Sequence, residues 1–253
     1  MKKEWKIFLT ALMFYSRVPV GNIVGWNEEM LNKATRYFPL VGWLIGGFGA
    51  LVFWGFSMFL PVSLAVLLSM VATILFTGAF HEDGFADFCD GFGGAYTPER
   101  ILEIMKDSRI GTYGTIGLLM MLGTKFLALS HIDPMRIPFI LIAGHAVSRI
   151  FPVLLIYSSV YARLDASSKT KPVGKADSLF SLATALIFGA AAFFFLGWEE
   201  VIVILALLLL LTYFFRKYIT RKLGGYTGDV LGALQQLCEV FFYLAVLAIQ
   251  YYP

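Results

Sequence analysis

The chain has 253 residues, of which 58% are hydrophobic and only 15% charged, with a mean hydropathy of +0.76. Those values lie outside the range of soluble globular domains and indicate a polytopic membrane protein. A net charge of +3 carries no nucleic-acid signal, and two cysteines, Cys89 and Cys238, are too few and too far apart for a disulfide framework or a zinc site.

The opening "MKKEWKIFLTALMFYSRVPVG" is basic and then briefly apolar. It ends in Ser16-Arg17 rather than a small-residue cleavage site, which argues against a secretory signal and for a helix lying on the membrane surface. A bilayer core needs about 20 apolar residues per helix, and candidate spans follow at 40–60, 62–80, 112–130, 137–158, 178–198, 201–215 and 230–252. The expected fold is all-α, a polytopic membrane protein with about seven transmembrane helices and amphipathic cytoplasmic helices. No internal repeat or composition shift divides it, so residues 1–253 are expected to form a single integral-membrane domain.

The cations are placed unevenly. Lys2, Lys3, Lys6, Arg17, Lys33 and Arg36 precede the first span; Arg100, Lys106 and Arg109 fall in the second-to-third loop; Arg163, Lys169, Lys171 and Lys175 in the fourth-to-fifth; Arg216, Lys217, Arg221 and Lys222 in the sixth-to-seventh. The opposite loops hold only Arg136, while Lys125 and Arg149 fall inside spans. Because Lys and Arg accumulate in cytoplasmic loops, the N-terminus is predicted to be cytoplasmic and the C-terminus external.

Directly after the second span comes "FTGAFHEDGFADFCDGFGG". Asp83, Asp87 and Asp90 are spaced i, i+4, i+7, which puts three carboxylates within roughly 60° of one another on a helix. A solvated helix end is the bland alternative, but ionisable groups at the end of a membrane span are usually functional. Oxygen-only ligation points to Mg²⁺ or Mn²⁺, whose shell is completed by water and substrate phosphate. The spacing does not fit an EF-hand. His81 is a candidate proton acceptor or phosphate ligand beside the cluster, or equally a hydrogen-bonded helix-end residue.

Further on, "ERILEIMKDSRIGTYG" reads as an amphipathic cytoplasmic helix ending in Lys106, Asp107, Ser108 and Arg109, cations and small residues suited to anionic groups or simply to a membrane surface. Arg149, one turn after His145, needs a partner inside its span, and an aspartate of the cluster or a substrate phosphate is expected. Lys125 could instead snorkel, and no role is assigned to it. In "RKYITRKLGGYTGDVLGA", four cations lead to Gly224, Gly225, Thr227 and Asp229 at the start of the last span, with Asp229 as a candidate N-cap and the free N–H groups as a candidate phosphate site. Neither here nor at Gly174-Lys175 is there a Walker signature. Glu239, inside the last span, is a functional candidate with no evident partner.

"SRVPV", "RYFPLVGWLIG", "GAFHEDGFADFCDGF", "EIMKDSRIGTYG", "AVSR" and "LGGYTGDVLGA" together resemble the cobalamin synthase family, the adenosylcobinamide-GDP ribazoletransferases. The resemblance runs nearly end to end. It implies a Mg²⁺-dependent transferase that joins adenosylcobinamide-GDP to α-ribazole, or α-ribazole 5′-phosphate, and releases GMP, in a prokaryotic cytoplasmic membrane with its active site on the cytoplasmic side. It implies Asp83, Asp87 and Asp90 as metal ligands, with His81 or an aspartate as base. Lys106, Asp107, Ser108, Arg109, Arg149, Gly224, Gly225, Thr227 and Asp229 are then substrate-binding candidates. The lipid bilayer is the expected surrounding, no nucleic acid is expected, and a homo-oligomer is compatible. The competing class is an ion-coupled transporter with the acids as its cation site, disfavoured because the acids lie near one membrane face and no paired broken helices are evident.

Overall fold

The structure, a computed structural model, describes residues 2–25, 28–162 and 175–252. Arg163, Lys169, Lys171 and Gly174 lie outside the described residues. The described residues form the helices α1 Lys2–Tyr15, α2 Gly21–Val24, α3 Glu28–Ala34, α4 Phe38–Ser57, α5 Val62–Thr77, α6 Phe80–Gly94, α7 Pro98–Ile104, α8 Thr112–His131, α9 Ile137–Ser148, α10 Ile150–Ser158, α11 Leu179–Ala190, α12 Trp198–Leu223 and α13 Gly228–Tyr251, joined by turns and short loops.

Among the described residues, five segments are long and apolar enough to cross a membrane: Glu29–Ser57, Thr112–His131, Ile137–Ser158, Trp198–Leu223 and Gly228–Tyr251. The expected second and fifth spans differ from that pattern. The second stops at Thr77 and passes into α6 through a bend of 88°. Gly78 (φ +69°) and Ala79 (φ +57°) both adopt left-handed backbone there, their N–H groups donating to Leu75 O and Ile74 O, and the Arg17 side chain packs on Gly78 where a Cβ would displace it. The fifth is α11 prolonged by a 3₁₀ turn, Ala191–Phe195. At 1.5 Å per α residue and about 2 Å per 3₁₀ residue it reaches about 28 Å, close to the bilayer core.

The sixth span is longer than expected. Arg216, Lys217, Arg221 and Lys222, read as a loop by their charge, continue α12 for two more turns until Gly224 (φ +78°) ends it. Lys and Arg are good helix formers, so charge marks where the helix leaves the membrane and not where it stops.

Contacts sort the connections onto two ends of the bundle. At one end Arg36 lies 3.2 Å from both Glu4 and Asp177, Arg216 donates to Ser159 Oγ, and Tyr226 N donates to Val160 O. At the other, Arg136 pairs with Glu200 at 2.6 Å and Asp133 N donates to Gln250. The cation-rich connections therefore share one end, and α6 lies there across the bundle.

Candidate active site

Local sequence sets α6. Its three aspartates share a face as the spacing requires, but they are not equivalent. Asp83 is exposed, Asp87 half-buried and Asp90 buried. Asp90 Oδ2 accepts from Gly111 N at 2.7 Å and Oδ1 from Gly114 N at 2.8 Å, so this carboxylate satisfies two of the free N–H groups that open α8. Both glycines sit against it too tightly for a Cβ. Asp90, expected as a third metal ligand, is thus the clamp that holds the loop 105–111 against α6. That leaves Asp83 and Asp87 at the accessible rim.

The same end of the bundle receives the start of α13. Gly84 packs on the backbone of Asp229, and an added Cβ would lie 3.0 Å from Asp229 Cα and O. The crossing of α6 and α13 is therefore close enough to favour glycine and sets Gly228 and Asp229 beside the acidic face. The N-cap of α13 is Thr227, whose Oγ1 accepts from Val230 N at 3.3 Å, and not Asp229 as expected. Asp229 is left beside α6. Gly225 packs on Val160 O, and burial pushes the Tyr226 phenol up to about 12.

The loop 105–111 carries Lys106, Ser108 and Arg109, all exposed. Arg109 folds back on Asp107, with Nε 3.0 Å from Oδ1 and a terminal nitrogen 2.7 Å from Oδ2. Those hydrogen bonds hold the Asp107 carboxyl down at about 2. Nearby, Lys222 at the end of α12 lies 5.5 Å over the Tyr96 ring, just beyond α6. Three polar islands far apart in sequence thus meet around α6, combining carboxylates, exposed cations and backbone approach.

Two expected members are elsewhere. His81 lies about 180° around α6 from Asp90, stacked on Phe38 with centroids 5.5 Å apart, and faces the bundle interior. It is therefore not the base beside the aspartates. Arg149 is also interior. It donates to His145 O at 2.6 Å, lies 5.3 Å over the Phe38 ring, and finds its counter-charge in Glu239 at 3.9 Å, neither in the aspartates nor at a phosphate position.

Glu239 is the centre of a buried polar network that sequence reasoning missed. Lys125 donates to Glu239 Oε1 and to Gln236 Oε1, both at 2.9 Å, so it is paired in the core and does not snorkel. His145 Nδ1 stands 3.2 Å from Glu239 Oε2, and Gln235 donates to the same oxygen at 2.6 Å. Gln236 reaches Glu82 of α6 at 3.0 Å. The available signal was two cations and one acid within spans, since charges inside a bilayer must pair. Their separation along the chain, 114 residues for Lys125 and Glu239, concealed which pairs form.

Residues 7–247 match the family model described as cobalamin-5-phosphate synthase. Among curated relatives, proteins named adenosylcobinamide-GDP ribazoletransferase from Shewanella frigidimarina and Shewanella amazonensis are 44% and 43% identical to the chain, over 98% and 97% of it and 96% of each relative. One of the same name from Leptothrix cholodnii is 45% identical over 97% of the chain and 96% of its own length. No solved structure matches.

Proposed function

The chain belongs to the cobalamin-5-phosphate synthase family, and we propose that it joins adenosylcobinamide-GDP to α-ribazole, or to α-ribazole 5′-phosphate, releasing GMP and forming adenosylcobalamin or its phosphate. The observation that supports this most is the meeting of the Asp83 and Asp87 rim, the Lys106–Arg109 loop and the Gly228-Asp229 helix start at one end of the bundle. In the reaction a ribose hydroxyl of α-ribazole attacks the phosphorus attached to cobinamide, the phosphorus–oxygen bond to GMP breaks, and GMP leaves with that oxygen.

The donor set suits Mg²⁺. Among the described residues no group of three or more His, Cys, Asp or Glu forms a protein-only metal cage. Mg²⁺ in phosphate chemistry is commonly held by one or two carboxylates with substrate oxygens and water completing the shell. Asp83 and Asp87 would hold it, and it would neutralise the pyrophosphate and the charge growing on the departing oxygen. Asp90 fixes the loop that carries the cations. Lys106 and Arg109 supply positive charge to the phosphates, Arg109 exchanging Asp107 for phosphate oxygens as substrate arrives. An aspartate of α6 takes the proton of the attacking hydroxyl. Purified protein given both substrates releases GMP with Mg²⁺ and none after chelation; absence of GMP with Mg²⁺ rejects the assignment, and undiminished release after chelation rejects the metal.

Arg109 offers a planar fork matched to phosphate, whereas lysine is a point charge. Arg109→Lys therefore lowers kcat about tenfold or more, corresponding to ~1.4 kcal/mol of transition-state stabilisation. Unchanged steady-state kinetics at saturating Mg²⁺ would leave Arg109 as a surface anchor only.

The cation-rich end of the bundle faces the cytoplasm in this reading, with the protein in a prokaryotic cytoplasmic membrane. In a Cys89→Ser background, Asp133→Cys reacts with an impermeant thiol reagent in intact cells and Lys217→Cys reacts only after lysis. The reverse pattern would invert the orientation.

A further inference from the structure

His81 has no role in the chemistry described so far. It is 1% exposed, and neither ring nitrogen has a hydrogen-bond partner among the described residues. A buried imidazole with no hydrogen-bond partner is costly, so something else should meet it. It lines a cavity of about 80 Å³ walled by Phe14, Tyr15, Phe38, Phe80 and Ile156. That admits the edge of a planar ring system between walls that are mostly aromatic and aliphatic. Gly228 and Gly232 of α13 close one side. Gly232 lies against the His81 backbone, and its neighbour across the crossing, Gly84, lies against Asp229. The cavity and the acidic rim are therefore the two sides of one crossing of α6 and α13.

The geometry points to this cavity as the subsite for the base of the nucleoside substrate, a planar, bicyclic, largely apolar heteroaromatic ring with one unsubstituted ring nitrogen. The inference rests on the reaction proposed above and adds to it the place where the attacking nucleoside is recognised. The neutral His81 ring, whichever nitrogen carries its proton, offers one N–H to that ring nitrogen. The aromatic walls take the faces and edges of the base. With the base seated there, the ribose extends past Gly228 toward the rim, where its hydroxyl meets the phosphorus. His81 then determines which nucleoside enters and is not the base of the reaction.

The test compares two nucleosides, α-ribazole and the matching indole riboside, in which C–H replaces the accepting nitrogen. Wild-type protein that releases no GMP with α-ribazole overturns the proposed reaction and this inference with it. Given release, KM for the indole riboside should be at least about fivefold higher than for α-ribazole, the cost of leaving the His81 N–H unmet. His81→Phe should raise KM for α-ribazole by a similar factor, leave KM for adenosylcobinamide-GDP unmoved, and abolish the discrimination between the two nucleosides. Ile156→Trp, which fills the cavity from the opposite wall, should raise KM for both. Equal KM values for the two nucleosides in the wild type, or a His81→Phe effect confined to kcat, would overturn the subsite while leaving the reaction intact.

Discussion

Asp83→Asn lowers the rate of GMP release about a thousandfold, because a divalent ion that stabilises the departing charge contributes several kcal/mol and each 1.36 kcal/mol is about tenfold. The exposed amide keeps the carboxylate's shape, and Asp83 is not the N-cap of α6, so the thermal midpoint should move little. Asp87→Asn acts in the same direction, and the double variant falls far short of the product of the two effects because both groups serve one ion. Asp90→Asn differs from both. Its carboxylate faces Gly111 N and Gly114 N, so losing its charge weakens the attachment of α8 and its preceding loop, and both stability and rate decline. Wild-type turnover by a folded Asp83→Asn protein, measured over a Mg²⁺ titration, would remove the metal from the proposed mechanism.

Glu239→Gln produces the largest loss of stability. The carboxylate is buried with Lys125 at 2.9 Å, His145 at 3.2 Å and Arg149 at 3.9 Å, and all four side chains are almost fully enclosed. Removing its charge leaves two cations inside the bundle without compensation, and breaking such a buried pair typically costs about 3–5 kcal/mol. For a chain of this size each kcal/mol corresponds to roughly 2–4 °C, so the midpoint of thermal unfolding in detergent or nanodiscs should fall by roughly 10 °C. Activity falls too, since Gln236 connects the network to Glu82 on α6. Lys125→Met combined with Glu239→Gln should cost less than the two changes added, because the first removes one of the stranded cations. A Glu239→Gln protein that melts with the wild type would show that the network contributes nothing to the fold.

Local signals carried much of the architecture. Hydrophobic runs located nearly every membrane helix, since a bilayer tolerates backbone only when its hydrogen bonds close within the segment. Uneven Lys and Arg placement grouped the connections that the structure finds at one end, from Arg36 to Arg216. The spacing of Asp83, Asp87 and Asp90 placed three acids on one helical face because that face follows from the rise and turn of an α-helix alone.

Which way each face points was decided by tertiary packing. The left-handed pair Gly78 and Ala79 bends the chain by 88°, and only that bend lays α6 across the end of the bundle with Asp83 outward and His81 inward. Asp90 became a clamp because loop closure brought the start of α8 to it. Lys125 and Glu239 became partners because their helices pack together across 114 residues of intervening chain. Periodicity and composition describe a residue's neighbours along the chain, while the partner of a buried charge or an unsatisfied ring is set by which helices touch, and that is a property of the assembled bundle.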